Sequence, residues 1–236
     1  MNEWKEELEA HFAEAKDVAR VAELIGVGAS ALGFDHWAYG LRLPLPFTRP
    51  RFFTISNYDP RWVQRYKDQD YLQVDPTVLH GCASLVPLVW DEGVISRAPQ
   101  FWSEARSFGL RFGWAQSCFD GAGRVGMLSL ARSSETFSPR EMAAHDPLWR
   151  WLAQEAHLAM SARMDTGRAA SRPLLTARQV EVLKWTADGK TCEEVAQILG
   201  ISEHTVHFHV KNAVAALAAN NKAAAVSRAA QLGLLR

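Results

Sequence analysis

The first two thirds of the chain alternate between helical periodicity and short strand-like runs. Residues 3–31 have apolar positions at helical spacing, with a break near Ala15 and Lys16. Apolar, β-branched or aromatic runs bounded by Gly, Pro, Asn or Asp predict strands at residues 34–43, 52–56, 85–90, 113–119 and 124–131. Further helices are predicted at residues 60–67, 76–82, 98–108 and 139–163. Helices before, between and after antiparallel strands indicate an α/β/α sandwich around one central sheet.

The last quarter of the chain predicts four helices in close succession, at residues 176–187, 191–199, 203–217 and 222–232. Two of them begin with capping boxes, Thr176 with Gln179 and Thr191 with Glu194, in which two side chains and two backbone amides satisfy each other. Residues 200–202 form a tight turn that ends on a serine N-cap. This arrangement predicts an all-α, four-helix domain with a helix-turn-helix, so the whole chain is of the α+β class.

The apolar periodicity lapses near residue 165. Residues 165–173 are mostly small or polar and end on Pro173, a composition typical of linkers. We therefore predict a first domain at residues 1–164, a linker at residues 165–173 and a second domain at residues 174–236.

Composition narrows the class of protein. The 236 residues carry 26 Lys and Arg against 26 Asp and Glu, and 48% are apolar, which excludes the pattern of disordered chains. No apolar run approaches the roughly 18 residues of a membrane helix, and the acidic N-terminus resembles neither a secretion signal nor a transit peptide. Three widely spaced cysteines predict neither a disulfide framework nor a metal site. We expect a cytoplasmic protein that binds no membrane and needs no metal or cofactor.

Charge is divided unevenly between the two predicted domains. From residue 171 onwards, eight Lys and Arg stand against five Asp and Glu, a net charge of +3, which leaves −3 for the rest of the chain. A mildly acidic large domain is therefore joined to a mildly basic small one.

The predicted helix at residues 203–217 has two contrasting faces. At 100° per residue, its apolar stripe is formed by Val206, Val210, Ala213, Val214 and Leu217. The opposite face is rich in hydrogen-bond donors and carries His204, Thr205, His207, Phe208, Lys211 and Asn212. Such a face suits the floor of a DNA major groove. The alternative is a solvated helix that contacts nothing, which leaves the exposed aromatic ring of Phe208 unexplained.

Four motifs in this domain, at residues 175–178, 189–191, 201–210 and 221–223, resemble the LuxR/GerE-type DNA-binding domain. The resemblance covers nearly all of residues 173–236. It implies that His207, Phe208 and Lys211 face the bases of double-stranded DNA. The residues that it places near the DNA backbone are Lys190, Thr205, His209 and Lys222. Because one such module reads half of a palindromic site, we expect a homodimer, joined through the helix at residues 139–163.

Three positions depart from the family pattern. Gln179 replaces the usual glutamate but still closes its capping box. His207 replaces the usual lysine, and Ala216 stands where Lys or Arg is common. Fewer fixed positive charges release fewer counterions, so we expect weaker and less salt-sensitive DNA binding than is usual for the family.

In the first domain, large aromatic residues concentrate between residues 57 and 90 around one acidic residue. Trp62 and Tyr66 are four residues apart, so their rings lie on one helical face. Asp75 precedes Pro76 at the start of a predicted helix, and it needs a hydrogen-bond donor if it is buried. The residues alone leave two interpretations open: a ligand pocket, or core aromatics with Asp75 as a helix cap.

The pattern of Trp62, Tyr66, Asp75-Pro76, Trp90 and Gly113 resembles the acyl-homoserine lactone-binding domain of LuxR-type quorum-sensing receptors. Within that family it is most similar to QscR-like receptors. The resemblance runs from about residue 33 to residue 134. It implies an N-acyl-homoserine lactone as the small-molecule effector.

The chemistry of this implied ligand suggests a role for each residue. Trp62 can donate its indole N–H to the lactone ring carbonyl, and Asp75 can accept from the amide N–H. Tyr58 and Ser129 have hydroxyls that can donate to the amide carbonyl. Apolar packing is expected from Trp90 and Phe101 around the ring and from Tyr66, Val78, Leu110 and Leu128 around the tail.

Two other functions are less well supported than a quorum-sensing transcriptional regulator. An enzyme is disfavoured because the chain has no G-x-S-x-G elbow, H-E-x-x-H motif, P-loop or Rossmann fingerprint. His204, His207 and His209 with Cys192 do not predict a metal site, since this spacing splays the imidazoles around a helix. The remaining alternative is a LuxR-type regulator that senses a non-lactone ligand or pairs with another receptor.

Overall fold

The computed structural model describes residues 3–46, 48–121, 123–164 and 174–235. The chain divides into two compact units. Among the described residues, the larger unit holds a sheet with helices around it, and the smaller unit holds helices only. The predicted linker at residues 165–173 lies outside the described residues, so the exact domain bounds stay predictions.

The larger unit is built on one antiparallel sheet. Its elements are α1 (Glu3–Glu14), α2 (Val18–Ala31), β1 (His36–Arg42), β2 (Phe52–Ser56), α3 (Pro60–Asp68), a 3-10 turn (Tyr71–Gln73), α4 (Pro76–Ala83), β3 (Leu88–Val89), α5 (Glu92–Ile95), α6 (Pro99–Ser107), β4 (Phe112–Phe119), β5 (Val125–Arg132) and α7 (Pro139–Met164). The strand order is β2-β1-β5-β4-β3, and every neighbouring pair is antiparallel. The predicted central sheet is confirmed.

Helices pack on both faces of this sheet, and glycines allow their close approach. On one face, a Cβ added to Gly126 of β5 would lie 2.1 Å from Nδ1 of His157 on α7. On the other face, a Cβ added to Gly81 of α4 would lie 2.6 Å from Sδ of Met127 on β5. A side chain at Gly126 would collide with the buried ring of His157, and one at Gly81 would displace the side chains of Ser117 and Met127. The α/β/α arrangement is confirmed, with α7 on one side and α4 on the other.

The break predicted near Ala15 and Lys16 is confirmed: α1 ends at Glu14, and Asp17 caps α2 by accepting from the amide of Arg20 at 2.8 Å. Other element bounds differ from the predicted ones. The strand predicted at residues 85–90 shortens to Leu88–Val89, because Pro87 has no N–H to donate to the sheet. The short helix α5 and the 3-10 turn were not predicted.

The smaller unit has the predicted helix-turn-helix. Its described helices are α8 (Ala177–Ala187), α9 (Cys192–Leu199), α10 (Glu203–Ala216) and α11 (Lys222–Gln231). Both capping boxes are present, at Thr176 and at Thr191. Gly200 ends α9 in the left-handed conformation, with φ of +64°, and Ser202 then caps α10 by accepting from the amide of Thr205 at 3.1 Å.

Candidate functional site

A cavity of about 390 Å³ lies between the sheet and helices α3, α4 and α6 of the larger unit. Its volume is in the range of small-molecule sites. The seven residues predicted from the sequence to contact a ligand all line it: Tyr58, Trp62, Tyr66, Asp75, Trp90, Phe101 and Ser129. Val78 and Leu110, predicted to pack the tail, line it as well.

Asp75 is the buried acidic residue of this wall, with 8% of its surface exposed. Its Oδ1 accepts from the amide of Thr77 at 2.8 Å, which caps α4. Its Oδ2 accepts from the hydroxyl of Tyr66 at 2.9 Å. Burial raises the pKa of Asp75, and the hydrogen bonds from Thr77 and Tyr66 oppose that rise. Asp75 is therefore a helix cap and part of the cavity wall at the same time.

Tyr66, predicted to pack the acyl tail, also contributes a polar group to the site. Its hydroxyl donates to Asp75 and so fixes the carboxylate from the α3 side. Burial and then the charge of Asp75 raise the pKa of Tyr66 and also that of Tyr58. Both phenols therefore stay protonated at neutral pH and remain hydrogen-bond donors.

An aromatic cluster surrounds this polar centre. The ring centroids of Trp62 and Phe101 are 5.7 Å apart, and those of Trp90 and Trp102 are 4.8 Å apart. Trp102 lines the cavity but was not among the predicted site residues. It follows Phe101 on α6, and adjacent helical residues are only 100° apart, so both rings can reach one wall. The indole N–H groups of Trp90 and Trp102 are buried and have no hydrogen-bond acceptor among the described residues.

Gly113 belongs to the site because of the space that it leaves. A Cβ on Gly113 would lie 2.3 Å from the indole ring of Trp90. Any other residue at position 113 would displace that ring from the wall. The pairing of Trp90 with Gly113, seen as a motif in the sequence, is therefore one steric unit.

The prediction that Leu128 lines the cavity is wrong. Alternate residues of a strand point to opposite faces, and the β5 residues that line the cavity are Val125, Met127 and Ser129. Leu128 lies on the face of Gly126, which packs against α7. It is part of the core on that side.

An ion pair connects the two helices that carry most of the aromatic wall. Arg65 on α3 donates to both carboxylate oxygens of Glu104 on α6, at 2.8 and 2.9 Å. This contact lowers the pKa of Glu104 to about 2. No pattern in the sequence predicts this pair, because the two residues are distant in the chain and belong to no local motif.

In the smaller unit, α10 has the two faces that its sequence predicts. Val206, Val210 and Ala213 are buried in the core. His207 and Lys211 are exposed, and Phe208 is exposed by 57%. Of the other predicted DNA-contacting residues, Lys222 is exposed, whereas Lys190, Thr205, His209 and Asn212 are partly buried. A face with these donors and one exposed aromatic ring fits the major groove.

Two of the predicted DNA-contacting residues have acidic neighbours. Nζ of Lys190 lies 3.4 Å from Glu194, and Nε2 of His207 lies 3.4 Å from Glu203. Nδ1 of His207 is also 3.9 Å from Sγ of Cys192. Nowhere in the described part of the chain do three or more His, Cys, Asp or Glu side chains group as a metal site would require.

The two units correspond to two known protein families. Residues 17–160 match the autoinducer binding domain, and residues 173–229 match the luxR family of bacterial regulatory proteins. The chain belongs to the LuxR family of quorum-sensing transcriptional regulators. As a LuxR-family regulator it binds a small-molecule autoinducer through the first region and DNA through the second.

Similar proteins match over nearly the whole length of this LuxR-family chain. It is 42% identical to the transcriptional activator protein AnoR of Acinetobacter nosocomialis, covering 100% of both chains. It is 34% identical to the quorum-sensing regulator RhlR of Pseudomonas aeruginosa, covering 98% of this chain and 96% of RhlR. The more specific likeness to QscR-like receptors stays a prediction.

Solved structures of Escherichia coli SdiA share the fold of this LuxR-family chain. One crystal structure matches with a TM-score of 0.83 and 31% identity, covering 99% of this chain and 98% of SdiA. SdiA in complex with octanoyl-rac-glycerol matches with a TM-score of 0.82 and 31% identity, covering 99% and 96%. Among the described residues, every helix is too short or too polar to cross a membrane.

Proposed function

We propose that the protein binds an N-acyl-homoserine lactone in the cavity and that this binding governs its contact with promoter DNA. The observation that carries the proposal is the buried carboxylate of Asp75 in an aromatic wall. It accepts one hydrogen bond from Thr77 and one from Tyr66, whereas an ionised carboxylate has about four acceptor sites. It therefore keeps capacity for a further donor, such as the amide N–H of a lactone ligand.

The remaining lining groups suit the other parts of such a ligand. The lactone and amide carbonyls need donors, and the wall offers the indole of Trp62 and the hydroxyls of Tyr58 and Ser129. The flat lactone ring matches the aromatic surfaces of Trp90 and Phe101. An apolar wall with a few converging polar groups is the usual design of a small-molecule site.

A monoacylglycerol is the second candidate ligand, since the solved complex of SdiA holds octanoyl-rac-glycerol. Its hydroxyls can donate to Asp75, and its acyl chain is as apolar as that of a lactone. It lacks the amide N–H, which can only donate and therefore matches a carboxylate that can only accept.

Thermal unfolding of the full chain with a panel of compounds tests the proposal. An acyl-homoserine lactone at about 100 times its dissociation constant stabilises by about 2.7 kcal/mol, which raises Tm by roughly 5–10 °C for a chain of this size. The matched control is the ring-opened N-acyl-homoserine, which keeps the tail and the amide. Stabilisation by octanoyl-rac-glycerol alone would favour the second candidate, and no shift with any lactone would refute the proposal.

We further propose that the protein acts as a homodimer on palindromic promoter sites. One helix-turn-helix reads half a site, and palindromes mirror a two-fold axis in the protein. α7 is a suitable contact helix, because Leu158 on it is exposed by 52%. Sedimentation in the presence of lactone and DNA should give a dimer. A monomer under these conditions would refute homodimerisation, and a complex formed only with a second receptor would replace it.

We also propose that the protein works in the cytoplasm without catalytic activity, metal or cofactor. The chain has none of the common hydrolase, zinc, P-loop or dinucleotide motifs. Its two candidate sites are suited to binding by hydrogen bonds and packing. Incubation with a lactone, followed by chromatography of the recovered compound, should return the lactone unchanged.

A further inference from the structure

The register of β1 with its two neighbours arranges the cavity floor in three rows. The first row is formed by Ala38, Ser56 and Ser129. The middle row is formed by Gly40, Thr54 and Met127. The last row is formed by Arg42, Phe52 and Val125. All nine residues line the cavity, so the rows mark positions along it in the strand direction.

The polar and aromatic groups for the ligand head lie at the first row. Ser129 belongs to that row, and the aromatic cluster with Trp62 and Trp90 packs against Ala131, two residues further along the same face of β5. The last row is at the other end, away from this cluster. A ligand whose head occupies the aromatic end therefore extends its tail from the first row towards the last.

Gly40 is the open position in the middle row. A Cβ placed on Gly40 meets no atom within 4 Å. On the β5 side of the same row, α4 closes over Met127, because Gly81 brings the helix to within contact of its sulfur. The free passage across the middle row therefore runs over Gly40.

We propose that the three rows form a channel for long acyl chains of about ten carbons, and that Gly40 keeps this channel open. The inference rests on the proposed lactone function. First and last rows are four residues apart, which is about 14 Å at about 3.4 Å per residue. An extended alkyl chain with C–C bonds of about 1.5 Å advances about 1.3 Å per carbon, so roughly ten or eleven carbons span the rows.

The last row also limits the acyl chain length that can increase the affinity. Phe52 is exposed by 37%, and Arg42 places a charged group beside it. A chain that passes this row gains little apolar contact. Affinity should therefore rise with chain length to about ten carbons and then level off.

Calorimetric titration of the full chain with butanoyl, octanoyl, decanoyl and dodecanoyl homoserine lactones tests the length. Each methylene that becomes buried adds up to about fourfold in affinity, from about 0.8 kcal/mol per CH₂. We expect the decanoyl lactone to bind at least tenfold more tightly than the butanoyl lactone, and the dodecanoyl lactone to bind like the decanoyl one.

The variant Gly40→Val tests whether Gly40 keeps the channel open. Its side chain enters open space, and valine suits a strand, so the variant should fold. We expect at least a tenfold loss for the decanoyl lactone and an unchanged affinity for the butanoyl lactone. The butanoyl lactone is the internal control on the same variant, because its short tail ends before the middle row.

The outcomes separate this inference from the function on which it rests. If no lactone binds the unmodified protein, the proposed function and the channel both fall. If lactones bind but short chains bind as tightly as long ones, only the channel is refuted. The role of Gly40 is refuted if Gly40→Val weakens all lengths equally or none.

Discussion

At the scale of single residues, Asp75 has one role that the sequence predicts and one contact that only the fold determines. The Asp-Pro dipeptide predicts a helix cap from local chemistry, and Asp75 does cap α4. Its second oxygen accepts from Tyr66 on another helix, a contact that no local pattern encodes. The roles of helix cap and ligand partner do not exclude each other, because a carboxylate has two oxygens and each can accept from a different donor.

Replacing Asp75 should weaken lactone binding and lower stability together. Asn can still accept through its amide oxygen, so we expect affinity to fall from Asp to Asn to Ala, with a loss of ~1–3 kcal/mol, or roughly 5- to 150-fold, for Ala. Separately, the loss of the helix cap in Asp75→Ala should lower the free energy of unfolding by ~0.5–2 kcal/mol. Calorimetric titration and thermal unfolding measure the two effects.

A second Asp-Pro pair in the chain supplies the control for these variants. Asp59 caps α3 through the amide of Arg61 at 2.8 Å but is not among the residues that line the cavity. Asp59→Ala should therefore lose stability and keep most of its lactone affinity. The binding role of Asp75 is untenable if Asp75→Ala and Asp59→Ala behave alike in the titration.

Lactone affinity should fall in acid because of Asp75. Burial raises the pKa of Asp75 in the folded protein above the unfolded value of about 3.9. The protonated carboxyl therefore stabilises the fold fully when the pH lies below the unfolded pKa. This stabilisation is lost as the pH rises through the folded pKa. Ligand binding has the opposite preference, since the ionised carboxylate accepts the amide N–H more strongly than the protonated carboxyl does. Titrations between about pH 4.5 and pH 7 should show weaker binding at the acidic end for the unmodified protein and a flat profile for Asp75→Asn. Equal slopes in both would contradict this assignment.

At the scale of elements, the sequence predicts what neighbouring residues determine. Both capping boxes and the recognition-helix faces depend on residues three or four apart, and both are present. Leu128 was assigned to the wrong face because β5 is apolar on both sides, so its pattern does not tell which face meets the ligand. The pair of Arg65 and Glu104 depends on how α3 and α6 meet, which only the assembled fold determines.

Gly113→Ala should damage the cavity wall. Its new Cβ would fall 2.3 Å from the ring of Trp90, and overpacking of this kind costs ~1–3 kcal/mol of stability. We expect a lower Tm and a weaker response to lactone, measured by thermal unfolding. The control for the Tm is Gly40→Ala, also in a strand, whose Cβ meets nothing within 4 Å. A Tm for Gly113→Ala equal to that of this control would refute the steric unit of Trp90 and Gly113.

Two changes on the exposed face of α10 should alter DNA binding in opposite directions. Lys211→Ala should weaken it, because a cation on the groove-facing side is lost. His207→Lys should strengthen it across sequences and steepen the log–log salt dependence by ~0.9 if the lysine reaches a phosphate. Fluorescence anisotropy with duplex DNA at several salt concentrations measures both. If neither change has an effect, α10 does not lie in the groove.

At the scale of the whole molecule, two binding functions are combined in one chain. The larger unit holds the cavity, and the smaller unit holds α10, the helix predicted to contact DNA. The order of these units was predictable because a break in periodicity and a change in charge separate them. If the lactone changes the affinity for DNA by some factor, DNA must change the affinity for the lactone by the same factor.

Titration of a palindromic duplex, selected by the protein from a random pool, tests the central claim most directly. It is performed with and without a decanoyl homoserine lactone, on the unmodified protein and on Asp75→Ala. We predict that the lactone shifts the DNA affinity of the unmodified protein by roughly 5- to 150-fold, a typical allosteric coupling. Asp75→Ala should need roughly 5- to 150-fold more lactone to reach half of the same shift. Superimposable DNA-binding curves for the unmodified protein with and without saturating lactone would contradict the account.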